Sequence, residues 1–200
     1  MDDERQSRGL NGHGKIDVIT GPMFSGKTKE LIRRIERAEI AGLQFQRFTP
    51  SEDTLGGTSN WKCHSDQVYP ATPVASGTEL EGVVLPETKV VGIDEGQFLD
   101  DSIVEVAVRL ADCGVHVIIA GLDQDFKRRP FGPMPLLMAV ADRVIKLRAV
   151  CKNCSRSSGE EIPAMHSRRL VASEEVVVIG EENEYEASCR RCHPESNGNK

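Results

Sequence analysis

The stretch GPMFSGKT, residues 21–28, limits what this chain can fold into more than any other segment. It satisfies G-x-x-x-x-G-K-[ST], with Gly21, Gly26, Lys27 and Thr28 at the fixed positions. The glycines let the backbone curl until its N–H groups converge on phosphate oxygens. The lysine then adds a point charge, the threonine hydroxyl reaches magnesium, and the helix that follows contributes its positive end. Such a loop needs a strand before it and a helix after it, and both are legible. An apolar run occupies Lys15–Thr20, and residues 29–41 place Leu31, Ile32, Ile35 and Ala38 on one helical face. The segment therefore points to binding of a nucleoside triphosphate.

The remainder up to residue 148 continues the alternation. Further strands are expected at 44–49, 89–94, 115–121 and 143–147, and a helix at 101–111 with Ile103, Val104, Ala107, Val108 and Ala111 on one face. KVVGID and VHVIIAG are nearly continuous apolar runs, as in strands covered on both faces of a parallel sheet. Residues 50–82 have weak periodicity and many Ser, Thr, Pro and Gly, which reads as a long mobile loop followed by a short helix. The fold class is α/β, a P-loop domain built on a parallel sheet. It is expected to span 15–148, after a disordered arm at 1–14. A small loop-rich domain follows at 149–193, with one strand candidate at 176–179, and then a disordered tail at 194–200.

The second nucleotide signature is VVGIDEGQF, residues 90–98. A strand ending in aspartate sets that carboxylate at the C-terminal edge of the sheet, beside the phosphate loop. Asp94 is thus a magnesium ligand opposite Thr28, direct or through water. Glu95, next in line, suits proton abstraction from the hydroxyl or water that attacks the γ-phosphate.

Cysteine usage separates the C-terminal part from the rest. Of six cysteines, Cys63 and Cys113 stand alone, whereas Cys151-x-x-Cys154 and Cys189-x-x-Cys192 are paired. Four thiolates on two tight turns make a closed tetrahedral site of the structural zinc type. His193 adjoins the last cysteine and is an alternative ligand, but four cysteines already satisfy the metal. Zinc would staple a segment too small to hold itself together. A formal net charge of −6 gives no general attraction to nucleic acid or to anionic membranes. With no bilayer-length apolar run and no secretory h-region, the chain is expected to be soluble and cytoplasmic.

Two more segments complete the set. GLDQDFKRRPFG, residues 121–132, carries Phe126, Lys127, Arg128, Arg129 and Phe131 after a buried strand. Aromatics beside cations near a triphosphate site can stack on a base, although on these residues alone core packing of both phenylalanines is the better reading. VVVIGEENEYEASCRRC places a strand and Tyr185 ahead of the second cysteine pair.

With these motifs in this order, the chain resembles the cellular (type II) thymidine kinases from about Lys15 to Cys192. The resemblance implies transfer of the ATP γ-phosphate to the 5′-hydroxyl of thymidine, with magnesium. It also implies a RecA-like α/β domain with a zinc-stapled lasso closing over the nucleoside, assembled as a homotetramer. Carried over by position, Glu95 is the base, and Gly21, Pro22, Met23, Phe24, Ser25, Gly26, Lys27 and Thr28 hold ATP together with Asp94, Glu95, Gly96 and Gln97. Met23, Phe98, Leu122, Phe126, Phe131 and Tyr185 would wall the thymine, and the backbone of Val176, Val177, Val178, Ile179 and Gly180 would bond its edge.

The chain departs from the family pattern at several points. Asp53-Thr54-Leu55 stands where the family has D-x-R, so a guanidinium near the reacting phosphate is missing. The S/T-H motif reads Cys63-His64-Ser65, and extra residues lie around GEEIPA. His166 replaces a common aromatic and Glu181 a common glycine. Three other readings remain at this level. One is a P-loop ATPase in which Glu95 activates water. Another is a nucleotide switch fused to a nucleic-acid-binding zinc ribbon, disfavoured because acidic residues outnumber basic ones from Cys151 onward. The third is a family member with altered or lost nucleoside specificity.

Overall fold

The structure, a computed structural model, describes residues 14–51, 60–62, 68–171 and 184–194. Its strands are β1 (Lys15–Thr20), β2 (Phe45–Pro50), β3 (Asn60–Lys62), β4 (Val68–Pro70), β5 (Thr72–Val74) and β6 (Val90–Ile93). There follow β7 (His116–Gly121), β8 (Arg143–Lys146), β9 (Ala149–Val150), β10 (Pro163–Ala164), β11 (His166–Arg169) and β12 (Tyr185–Ser188). The helices are α1 (Lys27–Ile40), α2 (Gly77–Val83), α3 (Ser102–Asp112), α4 (Met134–Val140) and α5 (Lys152–Ser158).

Six strands form one sheet in the order β5-β2-β6-β7-β1-β8, with every pairing parallel. The apolar runs explain why. Side chains alternate between faces with a period of two, so a strand covered on both sides must be apolar throughout. In β7, Val117 and Ile119 enter the core shared with α2, α3 and α4, while Ile118 and Ala120 enter the core under α1. Leu31 and Ile35 of α1 are fully buried there, contributing about 1.5–3 kcal/mol each by the usual transfer scale. Gly92 in β6 makes room on this face. A Cβ there would stand 2.7 Å from Trp61 Cη2 and 2.9 Å from Ile35 Cδ1.

The five sheet strands expected from the sequence are present within a residue or so. Helix α1 begins two residues earlier than its apolar periodicity does, because Gly26 in the left-handed region turns the chain into the helix at Lys27. The described parts of 50–82 are more ordered than the sequence suggests. Strands β3 and β4 pair antiparallel, and β5 joins the sheet edge. Trp61 is buried there and donates from Nε1 to the Phe48 carbonyl at 3.0 Å. One buried tryptophan in a polar stretch carries no periodicity, so this packing was illegible. Helices α4 and α5, seven residues each, were not expected from the sequence. The strand candidate at 176–179 lies outside the described residues.

Beyond β8 the packing thins. Pairs β9–β10 and β11–β12 are antiparallel ladders, and the buried cluster among them comprises only Ala149, Cys151, Ala164 and Ala187. Phe24 of the phosphate loop packs against that cluster, beside Ile162 and three more cysteines.

Candidate active site

A parallel sheet brings all its strand ends to one edge, where ligands of open α/β sheets bind. Here β7 lies between β1 and β6, so the phosphate loop, the Gly121–Asp123 turn and Asp94 meet side by side. Thr28 Oγ1 donates to Asp94 Oδ2 at 2.8 Å, and Asp94 Oδ1 accepts the Glu95 N–H at 3.0 Å. Lys27 is buried in the loop and donates to the Pro22 carbonyl at 3.0 Å.

The electrostatics are strained in both directions. Burial, with Glu95 adding to it, lifts the Asp94 carboxyl to about 7, against the bonds from Thr28 and the Glu95 amide and the charge of Lys27. Burial also holds the Lys27 ammonium below its ordinary range, opposed by Glu95, Asp94 and Asp123. At both groups burial outweighs the opposite charges nearby. Ser25 Oγ in the same loop is buried without a hydrogen-bond partner.

Glu95 has φ 53°, in the left-handed region that a non-glycine residue enters at a cost of about 1–2 kcal/mol. Gln97 stabilises it. Its Nε2 donates to Glu95 Oε2 at 2.5 Å while its Oε1 accepts the Leu122 N–H at 2.9 Å. The amide thus ties the acid to the end of β7. Asp123, just beyond, is buried and accepts from Lys146 Nζ at 2.5 Å; the Thr20 hydroxyl also lies 3.0 Å from it.

The expected base-facing residues fall into two groups. Phe98 and Phe131 meet edge to face at 5.5 Å. Phe126 lies under the Arg169 guanidinium, whose carbon is 3.8 Å from the ring centre, and Arg169 Nη2 donates to the Tyr185 hydroxyl at 2.8 Å. Leu122 is half-buried beside Gln97, and the Met23 N–H donates to Ser167 Oγ at 2.9 Å, which joins the phosphate loop to β11. Val176 to Gly180, with Leu55, His64 and Glu181, lie outside the described residues.

Cys151, Cys154, Cys189 and Cys192 converge, their sulfurs all within 4.8 Å of one another. Cys154 Sγ is 3.2 Å from Cys192 Sγ and 3.7 Å from Cys189 Sγ. Four sulfurs bound tetrahedrally to one zinc stand about 3.8 Å apart, so the donor set and spacing fit that metal. The hydrogen bond between the Cys154 and Cys192 sulfurs, with burial adding to it, pushes the Cys192 thiol up to about 12. His193 is not part of this cluster: its Nε2 donates to the Phe126 carbonyl at 3.0 Å.

Sequence reasoning did not find Asp123, Lys146, Ser167, Arg169 or the orientation of His193. Their only signal is an ordinary polar residue in a motif-bearing stretch. Asp123 is fixed by Thr20 and Lys146, Ser167 by the Met23 N–H, and Arg169 by Phe126 and Tyr185, contacts that join separate segments of the chain.

A parallel sheet with a phosphate loop at its edge and an Asp-Glu pair beside it defines a P-loop nucleotide-binding protein. Comparison with known proteins narrows this. The family model for thymidine kinase matches residues 14–193. A thymidine kinase of Porphyromonas gingivalis is 46% identical over 180 residues, covering 90% of this chain and 85% of that protein. One from Bacteroides thetaiotaomicron is 44% identical over 185 residues, covering 92% and 89%. One from Bdellovibrio bacteriovorus is 45% identical over 182, covering 91% and 86%. The chain belongs to the thymidine kinase family, ATP-using nucleoside kinases. Among the described residues, no helix is long and apolar enough to cross a membrane.

Proposed function

We propose that this chain phosphorylates thymidine with ATP, and that Glu95 is the base. The observation that carries this reading is the Thr28–Asp94 contact with Glu95 immediately beyond it, held by Gln97. The attacking 5′-oxygen gives its proton to the Glu95 carboxylate and forms a bond to the γ-phosphorus. The bond from that phosphorus to the β,γ-bridging oxygen breaks, and ADP leaves. Lys27, now bonded to Pro22, would turn to the β- and γ-phosphates, and the loop amides from Gly21 to Thr28 would hold the remaining oxygens. Ser25 Oγ is a further hydroxyl available to them. Positioning and charge stabilisation supply most of the rate in such transfers.

Magnesium fits the oxygen pair. Thr28 and Asp94 would hold it, and their oxygens are 2.8 Å apart, near the roughly 2.9 Å expected of adjacent ligands around that ion. When bound, it draws charge from the phosphoryl oxygens. The four cysteines would hold a structural zinc, and residues 149–193 would then act as a unit distinct from 15–148. Met23, Phe98, Leu122, Phe126, Phe131 and Tyr185 would wall the base, with Val176 to Gly180 bonding its edge. The cytoplasm, which rests on reading the paired cysteines as metal ligands and not disulfides, and a homotetramer, which rests on the resemblance, complete the reading.

The deciding experiment follows ATP consumption with a panel of nucleosides and a no-nucleoside control, identifying the product. Thymidine monophosphate formed only with thymidine is the expected result. Equal ATP hydrolysis without nucleoside would contradict the reading, because Glu95 would then be activating water.

A further inference from the structure

The loop from Gln124 to Pro130 is internally stiff. A bridge between Gln124 and Pro130 closes its base, and the Asp125 carboxylate accepts the N–H groups of Lys127 and Arg129, both at 2.8 Å. A piece braced in this way moves as one body, so its position is set by what touches it from outside. Two imidazoles from the cysteine end do so. His166, the first residue of β11, donates from Nδ1 to Gln124 Oε1 at 3.0 Å, at the base of the loop. His193 reaches the tip at the Phe126 carbonyl, 3.0 Å away. Because a carbonyl only accepts, that contact fixes the proton on His193 Nε2. The rings meet edge to face at 5.6 Å, and both residues are at least nine-tenths buried.

The other end of this connection is the sulfur cluster. The backbone N–H groups of Cys192 and His193 both bond the Cys189 carbonyl, at 3.1 and 3.2 Å, closing the turn that presents two of the four thiols. Anything that fixes those thiols fixes the His193 ring as well.

We propose that His193 and His166 form a strut through which the cysteine site positions the Phe126 loop for the nucleoside. They are thus positioning residues that set nucleoside affinity without touching the phosphates. This rests on the thymidine kinase reading above and adds residues to it. His193, although it follows Cys192 directly, acts by its Nε2–H and not as a metal ligand.

The geometry allows a test that separates the hydrogen bond from general damage. A glutamine amide nitrogen can stand where Nε2 stands, whereas an asparagine amide falls short and matches Nδ1. In the full chain, His193→Gln should therefore keep the Michaelis constant for thymidine near wild type. His193→Asn should raise it about tenfold, equivalent to one lost hydrogen bond of roughly 1.4 kcal/mol. The constant for ATP and the zinc content should stay level in both variants. At position 166 the order reverses, with Asn preserving thymidine affinity and Gln losing it. The strut is overturned if Gln and Asn behave alike at 193, if ATP and thymidine constants rise together, or if His193→Asn loses its zinc. Wild-type protein with no thymidine-dependent turnover would instead overturn the underlying kinase reading, a result these variants do not imitate.

Discussion

The sheet and the cysteine end solve the same problem by opposite means. Around the sheet, two clusters of fully buried side chains, with Phe48, Ile93, Ile119, Leu31 and Ile35 among them, hold the fold by removing apolar surface from water. That surplus lets the edge of the sheet keep groups in unfavourable states: a carboxyl lifted to about 7, a buried ammonium and a glutamate in the left-handed region. The buried apolar cluster of the cysteine end comprises three alanines and a cysteine. It has no such surplus, and on the proposed reading its shape depends on a metal joining the four sulfurs. One region carries the charge chemistry on a rigid base. On the proposed reading, the other makes nucleoside binding respond to a metal and to the strut that hangs from it.

The largest expected effect breaks chemistry without touching either fold. Glu95→Gln should lower turnover roughly 10²–10⁴-fold, the usual worth of a general base, with ATP binding retained. Steady-state kinetics beside a nucleotide-binding titration would show it. Near-normal turnover would remove Glu95 from the mechanism.

Next comes the source of stability. Phe48→Ala, in the fully buried core, should cost about 3–5 kcal/mol in denaturant unfolding. Ile162→Ala, half-buried at the cysteine end, should cost only about 1 kcal/mol with metal present. Similar losses at both sites would erase the contrast between burial and sulfur.

A smaller, pH-dependent effect sharpens the account of strain. Asp94 titrates near 7 in the fold against 3.8 as a free carboxyl. Between those values the folded chain keeps a proton that the unfolded chain has released. Asp94 therefore works against folding increasingly as pH rises from 3.8 to about 7, and its contribution to stability is full only below that window. Asp94→Asn removes this titration. The ligand-free variant should melt about 2–4 °C or more above wild type at alkaline pH, with the gap closing in acid. An equal shift at both ends of the range would show that the burial penalty is not the cause.

Much of the sheet was legible because its signals are local. A phosphate loop states its neighbours, and VHVIIAG states that both faces are covered. Thr28 and Asp94 were paired from sequence because a parallel sheet leaves strand ends nowhere else to go. What was not legible depends on encounters between distant segments. Ser167 at the phosphate loop and His193 turned from the sulfurs to Phe126 each join residues far apart in the chain. His193 is the instructive case. Beside C-x-x-C it reads as a spare ligand, and only its partner, 67 residues away, gives it another role.

The most direct measurement of the division of labour is a pair of binding titrations, ATP and thymidine, on one preparation before and after zinc is removed with a chelator. Thymidine affinity should fall about tenfold or more and ATP affinity clearly less. The phosphate loop, although Phe24 packs against the cysteine cluster and Met23 bonds Ser167, is anchored at its two ends in β1 and α1, whereas His193 ties the Phe126 loop to the turn carrying Cys189 and Cys192. Loss of both affinities together, or of neither, would contradict the account.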